Sequence, residues 1–373
     1  MADGNKAPRR RICIIVPAHW EALMGGSQYQ AMILIQHLLL LDRYDIYYLA
    51  RRVKKDFNPV GYRIVKISDP RWYHRYGSFP DSFKLLRILR TIKPDVIYQQ
   101  VGCAYTGVAA YYARNSTCRM IWRVTSDKSL QPGNKSHYRE YIPDRFVERK
   151  MLEYGIRNSD KIVVQTETQA RLLRENYHIN SFELVRNFHP KPTEHIQKSK
   201  PYTVLWIANF KKLKQPEVFI RLAKDLSSLD ARFVMIGAPA SGHWQKSLEE
   251  MISRTNNLAY LGVQSQQAVN GLLARAHILV NTSLYEGFSN TFIQAWMRKV
   301  PVLSLRVNPD ALLSSGDLGY CAGDNYQRLK EYLSSLLNNP DQIQNMGTFA
   351  QEYAFRKFSE NNVLRLVEIL DEQ

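Results

Sequence analysis

The stretch Ile278–Leu305, "ILVNTSLYEGFSNTFIQAWMRKVPVLSL", decides the fold. It opens on a short apolar run, turns at Glu286-Gly287-Phe288-Ser289, continues with apolar residues at helical spacing (Phe292, Ile293, Trp296), and closes on a second apolar run. Continuous apolarity suits a parallel strand buried on both faces, and a helix between two such strands is one unit of a parallel α/β sheet. Ligands of such sheets bind beyond the carboxyl ends of the strands, where Glu286 stands. Eight residues later comes Gln294. On spacing alone a ligand site and an ordinary buried strand–turn–helix are equally compatible with this stretch.

The same alternation runs both ways from it. Upstream, "RICIIVPA", "YDIYYLA", "YRIVKI", "DVIYQQ", "RMIWRV", "KIVVQT" and "FELVRN" read as strands, with helical stretches such as "DSFKLLRILRTI" and "ETQARLLRENY" between them. Residues 188–201, "FHPKPTEHIQKSKP", carry three prolines and four charges and break the pattern. It then restarts with "YTVLWIANF", "ARFVMIGAP" and "LAYLGV" as strands, and "PEVFIRLAKDL" as a helix opened by Pro216. The expectation is two doubly wound α/β domains facing a cleft. Residues 1–188 form the first, 189–201 a linker, 202–350 the second, and 351–373 a C-terminal helix that packs back on the first domain.

A chain of 373 residues with a 45% hydrophobic share has enough material for two cores. Its net charge of +17 is uneven: residues 1–190 carry +14 and the remainder +3. That imbalance points to an anionic partner, among them acidic lipid headgroups, nucleic acid or a phosphorylated substrate. Four scattered cysteines, none in a C-x-x-C pair, read as reduced core residues. The polar, basic start predicts no secretion signal, and "AMILIQHLLLL", interrupted by Gln36 and His37, is too short to span a bilayer. Asn115, Asn134 and Asn281 begin sequon-like triplets, read as chance in a chain without such a signal.

Three places offer chemistry. The first is the turn from Glu286 to Gln294: Gly287 loosens the backbone, Ser289 or Asn290 can cap the following helix, and the helix start offers N–H groups to a phosphate. The second is "WIANFKKLKQPE", where Lys211, Lys212 and Lys214 follow Asn209 at a strand–helix junction, a setting that suits an anion. The third is "GGSQYQ", including Gly26 and Ser27; it is no G-x-G-x-x-G, which disfavours a nicotinamide fold. There is no D-x-D, P-loop, H-E-x-x-H or G-x-S-x-G.

In this order and on this framework, "MGGSQYQ", "GIRNSDKIVVQTETQARLLRENY", "VLWIANFKKLK", "VMIGAP" and "YEGFSNTFIQAWMRKVPVLS" resemble the family 4 glycosyltransferases of GT-B fold, over nearly the whole chain. Members that assemble bacterial cell-surface polysaccharides are similar in "GGSQ" and "KQPE". The resemblance implies two Rossmann-like domains and retaining, metal-independent transfer of a sugar from a UDP- or GDP-type nucleotide-diphosphate sugar, with no cofactor.

It implies a donor in the C-terminal domain and a glycan or lipid-linked glycan acceptor in the N-terminal one. By the same resemblance Lys214 meets the donor diphosphate and Glu286 the donor sugar. Gly287, Phe288, Ser289 and Asn290 fall on the phosphate-binding turn. Gln294 stands where the family has a second glutamate on the ribose, and Gly26 and Ser27 fall on the glycine-rich loop. The base lies near Tyr260–Val263. Asn209 replaces the family's arginine, with Lys211 or Lys212 as a substitute charge. Thr125-Ser126-Asp127 stands where many members have a histidine, so Ser126 and Asp127 mark that part of the cleft.

A cytoplasmic protein, peripheral on the inner face of the membrane, is the matching expectation. "RRVKK" at 51–55 and the arginines around Trp72 and Tyr73 would dock on anionic lipid, and no nucleic-acid motif is present. The rival readings are a non-catalytic nucleotide-sugar-binding protein and a GT-B nucleotide-sugar epimerase.

Overall fold

A computed structural model describes residues 9–68, 79–131 and 142–372. The chain divides into two units. The first comprises residues 1–188 with 361–373, and the second residues 189–360.

In the first unit seven parallel strands form one sheet. They are β1 (Arg10–Ile15), β2 (Tyr44–Ala50), β3 (Arg63–Lys66), β4 (Val96–Gln100), β5 (Arg119–Arg123), β6 (Lys161–Val164) and β7 (Glu183–Leu184), in the order β3-β2-β1-β4-β5-β6-β7. The order reverses beside β1, the switch point of a doubly wound sheet. One face is covered by α1 (Gly26–Leu40). The other is covered by α2 (Phe79–Ile92), α3 (Ala104–Arg114), α4 (Ile142–Asn158) and α5 (Glu167–Tyr177). Both faces are therefore dry. That is why β4 is buried at every position and why α1 is apolar nearly all round.

The second unit has six parallel strands: β8 (Tyr202–Ile207), β9 (Ala231–Ile236), β10 (Leu258–Tyr260), β11 (Ile278–Asn281), β12 (Val302–Ser304) and β13 (Gly319–Cys321), in the order β10-β9-β8-β11-β12-β13. Its helices are α6 (Pro216–Asp225), α7 (Gly242–Ser253), α8 (Gln266–Arg275), α9 (Asn290–Trp296), α10 (Tyr326–Leu337) and α11 (Pro340–Lys357). The opening stretch is β11, α9 and β12. Phe292, Ile293 and Trp296 lie in the core beneath this sheet, and Trp296 donates its indole N–H to the Leu318 carbonyl at 2.9 Å.

The fold is the two-sheet Rossmann-like α/β architecture expected, with three differences in detail. The stretch read as one terminal helix is two. α11 ends at Lys357, Phe358 sinks fully into the second unit's core, and α12 (Asn361–Asp371) joins the first unit. There α12 lies against α1, and its acidic end is held by residues at the strand starts: Tyr44 donates to Asp371 at 2.5 Å, and Arg119 meets Glu372 at 2.8 Å.

The proline-rich segment is not a free tether. It groups with the second unit, where Glu194 pairs with the nearly buried Arg298 at 2.8 Å. Finally, α4, α10 and β13 went unread. β13 starts on Gly319 at φ +140°, where a Cβ would sit 1.8 Å from the Val302 carbonyl oxygen. The glycine that reads as a strand breaker is what lets this strand approach its neighbour.

Candidate functional site

The second unit gathers its charge where β8 and β11 end. After β8 the chain makes a short 3-10 turn, Lys212–Lys214. Gln215 then takes the left-handed conformation (φ 47°), and α6 begins on Pro216, whose missing N–H costs nothing at that position. After β11 the loop is tied to this turn. Thr282 accepts from the Trp206 indole at 2.8 Å and donates to the Lys214 carbonyl at 2.6 Å, and the Leu284 N–H bonds the Leu213 carbonyl at 2.9 Å. These bonds bring Lys214 and Glu286, 72 positions apart in sequence, to 2.9 Å, ammonium to carboxylate.

Glu286 is held by one oxygen. Its Oε1 accepts from Ser283 Oγ at 2.7 Å, from Asn281 Nδ2 at 2.9 Å and from Lys214 Nζ at 2.9 Å. Oε2 has no partner among the described residues. Burial by itself pushes this carboxyl up; Lys214 and the hydrogen bonds from Ser283 and Asn281 outweigh it and hold the group below the ordinary carboxylate range. The side chain is 15% exposed, so the anion is oriented without being sealed away.

Asn281 and Ser283 were missed as site residues. A signal was present: the Asn281 side-chain oxygen accepts the Ser283 N–H at 3.1 Å, an Asx turn that a strand ending in Asn-x-Ser can announce. The same burial removes the sequon reading, since Asn281 is 7% exposed with its amide on Glu286.

Other expected residues fall around this pair with corrections. Gly287 does not take the left-handed conformation. Phe288 is core, packed on Trp296 and Phe358. Ser289 occupies the N-cap of α9, but its hydroxyl pairs with Thr291 at 2.8 Å rather than with the helix backbone. α9 has only seven residues, so its dipole is weak. Asn290 opens that helix. Gln294 is 5% exposed, and its carboxamide has no hydrogen-bond partner among the described residues.

Asn209 accepts the Ala238 N–H at 3.0 Å, tying the loop after β8 to the loop after β9. Gly237 makes that approach possible, since a Cβ there would lie 1.9 Å from the Ala208 carbonyl oxygen. Tyr260 donates to the Gly237 carbonyl at 2.9 Å and its ring meets Phe210 at 4.8 Å, while Val263 beyond it is 70% exposed. Lys212 lies 4.0 Å over the Trp244 ring and 3.7 Å from Glu217. Lys211 remains exposed.

In the first unit Gly26 and Ser27 form the first turn of α1, which has no side-chain cap. Asp127 accepts from Gln169 at 3.0 Å, and Ser126 precedes it at the start of a short 3-10 turn. The "RRVKK" cluster loses its first member as a docking residue, because Arg51 is 2% exposed and lies 3.5 Å from the buried Asp81. Trp72, Tyr73 and Asn134 lie outside the described residues. Among those described, no helix is long and apolar enough to cross a membrane, and no cluster of His, Cys, Asp and Glu could hold a metal ion.

Comparison with known proteins agrees with this layout. Residues 24–188 match the family model "Glycosyltransferase Family 4", and residues 189–353 match "Glycosyl transferases group 1". An uncharacterized glycosyltransferase of Methanocaldococcus jannaschii is 21% identical over 60% of the chain, and the match spans 58% of that relative's length. Among solved structures, WaaG, a glycosyltransferase involved in lipopolysaccharide biosynthesis, superposes with a TM-score of 0.76 at 13% identity, covering 97% of this chain and 100% of the other. Anabaena HepE in complex with UDP-glucose gives 0.72 at 13% identity, over 96% and 99%. At such identities the likeness speaks for the fold.

Proposed function

We propose that the chain, whose residues 24–188 match the Glycosyltransferase Family 4 model and 189–353 the group 1 glycosyl transferase model, transfers a sugar from a nucleotide-diphosphate sugar to a glycan or lipid-linked glycan, retaining the anomeric configuration and using no metal. The observation that carries this reading is Glu286, anchored through one oxygen by three donors while the other oxygen stays open, 2.9 Å from Lys214.

Breaking the anomeric bond builds negative charge on the departing diphosphate. Lys214, at the amino end of α6, opposes that charge as it forms, and such stabilisation counts most when the groups are fixed beforehand. The Thr282 and Leu284 bonds supply that fixing. Glu286 Oε2 accepts a hydroxyl of the donor sugar and so sets its orientation. The Gln294 carboxamide, which can both accept and donate, takes the ribose hydroxyls. The base stacks by Tyr260 and Val263. Retention and metal independence rest on the family resemblance, and a UDP-type donor on the likeness to a protein solved with UDP-glucose.

The first unit is the acceptor side of this reading. It carries +12 of the net charge, because α12 and its tail bring one arginine and three acids back to a half that holds +14. That surplus suits an anionic membrane carrying lipid-linked glycans of the cell envelope, met from the cytoplasmic face.

The reading is tested by melting the protein with UDP-glucose, GDP-mannose and ADP-glucose in turn. A true donor at a hundred times its Kd stabilises by about 2.7 kcal/mol and raises Tm. NMR of the product in the presence of acceptor glycans then gives the anomeric configuration. If none of the three nucleotide sugars shifts Tm and none is consumed, the donor-site assignment fails.

A further inference from the structure

The first unit holds a constellation that the donor chemistry does not use. Where β1 and β2 end, their two loops are fastened together. The Arg51 and Arg52 N–H groups bond the Pro17 carbonyl at 3.1 and 3.2 Å, and the His19 N–H bonds the Arg52 carbonyl at 2.8 Å. Tyr48 donates to the Ala18 carbonyl at 2.8 Å. Aromatic rings from both loops and from β2 pack around the fully buried His19: Trp20 at 3.8 Å, Tyr48 at 4.9 Å, Phe57 at 5.1 Å and Tyr62 at 6.1 Å between centroids.

The hydrogen bonds fix His19 in one tautomer. Its Nδ1 accepts the Glu21 N–H at 3.2 Å, so Nε2 carries the proton and donates to the Tyr62 hydroxyl at 2.9 Å. Burial keeps the ring neutral, with its pKa lowered to about 4. The Tyr62 oxygen is thereby used as an acceptor, and its own O–H has no partner among the described residues. The Trp20 indole N–H has none either. Both rings are half-buried, 5.6 Å apart. Lys54 lies 3.5 Å from Glu21, and Arg52 and Lys55 of the same loop are exposed.

The result is a pair of aromatic rings, one on the loop after β1 and one directly before β3, with two donors that no described residue accepts. A greasy docking surface would not need the donors. Flat rings with a few fixed polar groups suit a neutral sugar, whose C–H face stacks and whose hydroxyls hydrogen-bond.

We propose that Trp20 and Tyr62 form a carbohydrate-stacking subsite for a neutral pyranose of the acceptor glycan, with Trp20 as the platform and the Tyr62 hydroxyl as a donor to a sugar oxygen. This rests on the glycosyl-transfer reading for its role, while the binding itself is measurable without transfer.

The test is saturation-transfer NMR of the full chain with methyl glucoside, galactoside, mannoside and N-acetylglucosaminide, and with maltose and lactose. At least one is expected to receive saturation, concentrated on the C–H protons of one ring face. Trp20→Ala should weaken that ligand roughly tenfold, and Tyr62→Phe roughly threefold, the scales of one ring contact and one hydrogen bond. The nucleotide-sugar melting shift should stay at wild-type size in both variants. If Trp20→Ala does not fold, Trp20→Phe and Tyr62→Phe carry the test: the first should keep binding and the second should weaken it.

Absence of saturation across the whole panel, or wild-type binding in both Trp20→Ala and Tyr62→Phe, overturns the subsite. Loss of the nucleotide-sugar shift in the wild-type protein instead overturns the donor reading, and leaves the glycoside result to stand on its own.

Discussion

In the second unit the loops beyond the strand ends gather charge: an ammonium and a carboxylate 2.9 Å apart, with the lysine's backbone tied to Thr282 of the neighbouring loop and the carboxylate held by Ser283 of its own. In the first unit the loops beyond β1 and β2 gather rings around a neutral histidine, and the charged pair nearby, Arg51 and Asp81, is buried. The backbone architecture is the same: a parallel sheet between helical layers, with loops projecting at the carboxyl edge. The difference shows that the fold supplies a place, and that the side chains at the strand ends decide whether the place suits a diphosphate or a neutral ring.

The sharpest way to break this comparison is to remove the charge from the second unit. Lys214→Ala and Glu286→Gln should each lower turnover roughly a hundredfold or more, the scale of losing one stabiliser of developing charge, about 2.7 kcal/mol. Steady-state kinetics with a nucleotide-sugar donor measures it. Near wild-type rates in both variants would mean that the charged pair is structural and that the two edges differ in decoration only.

Acid probes both units through their histidines. Burial lowers His19 to about 4. Burial with the nearby Lys198 lowers His277 to about 4, and burial with Arg298 lowers His189 to about 3. A histidine whose folded pKa lies below its unfolded value of about 6.5 contributes stability that is complete above that value. It is lost progressively as pH falls from there toward the folded pKa. At pH 5 each such group has lost about 2 kcal/mol. Urea unfolding at pH 7 and pH 5 reads the sum. His19→Gln should remove the first unit's share and flatten the pH dependence, as His277→Gln should in the second; a profile unchanged by both would refute the buried neutral histidines.

A smaller contrast lies in the two cores. The Trp296 indole N–H is bonded to the Leu318 carbonyl, whereas the Trp122 N–H, in the first unit, is buried with no partner among the described residues. Trp296→Phe gives up a hydrogen bond and Trp122→Phe removes an unsatisfied donor. The first should therefore cost more by about 1 kcal/mol in chemical denaturation. Equal costs would mean that ring volume alone sets both.

The segment from Ile278 to Leu305 shows what is legible in a sequence. The change from a continuous apolar run to helical spacing, with a turn between, located β11, α9 and β12 and put Glu286 at a strand end. The basic loop of Lys211, Lys212 and Lys214 was legible for the same local reason, as cations between a strand and a helix opened by proline, and the family resemblance singled out Lys214. β13 was not, because its glycine reads as a breaker until the Val302 carbonyl beside it is known. α10 could have been found. Asn325 caps it by accepting the Arg328 N–H, and Leu329, Leu333 and Leu336 repeat at helical spacing. The aromatic cluster around His19 left no signal, since its members come from β2 and from two loops fastened by backbone hydrogen bonds that a sequence does not encode locally.

The sequence by itself determined the alternation of strands and helices, the two-domain plan and the places of Glu286 and of the basic loop at strand ends, because these follow from periodicity and from residue type at element ends. Only the tertiary structure decided which oxygen of Glu286 is anchored and which stays open. It also decided that Arg51 is buried with Asp81 rather than offered to a surface, that α12 returns its acids to the basic half, and that His19 donates to Tyr62. Each of these is a contact between residues distant in the chain. Burial and hydrogen-bond geometry at such contacts depend on which loops the sheet brings side by side, and periodicity carries no information about that.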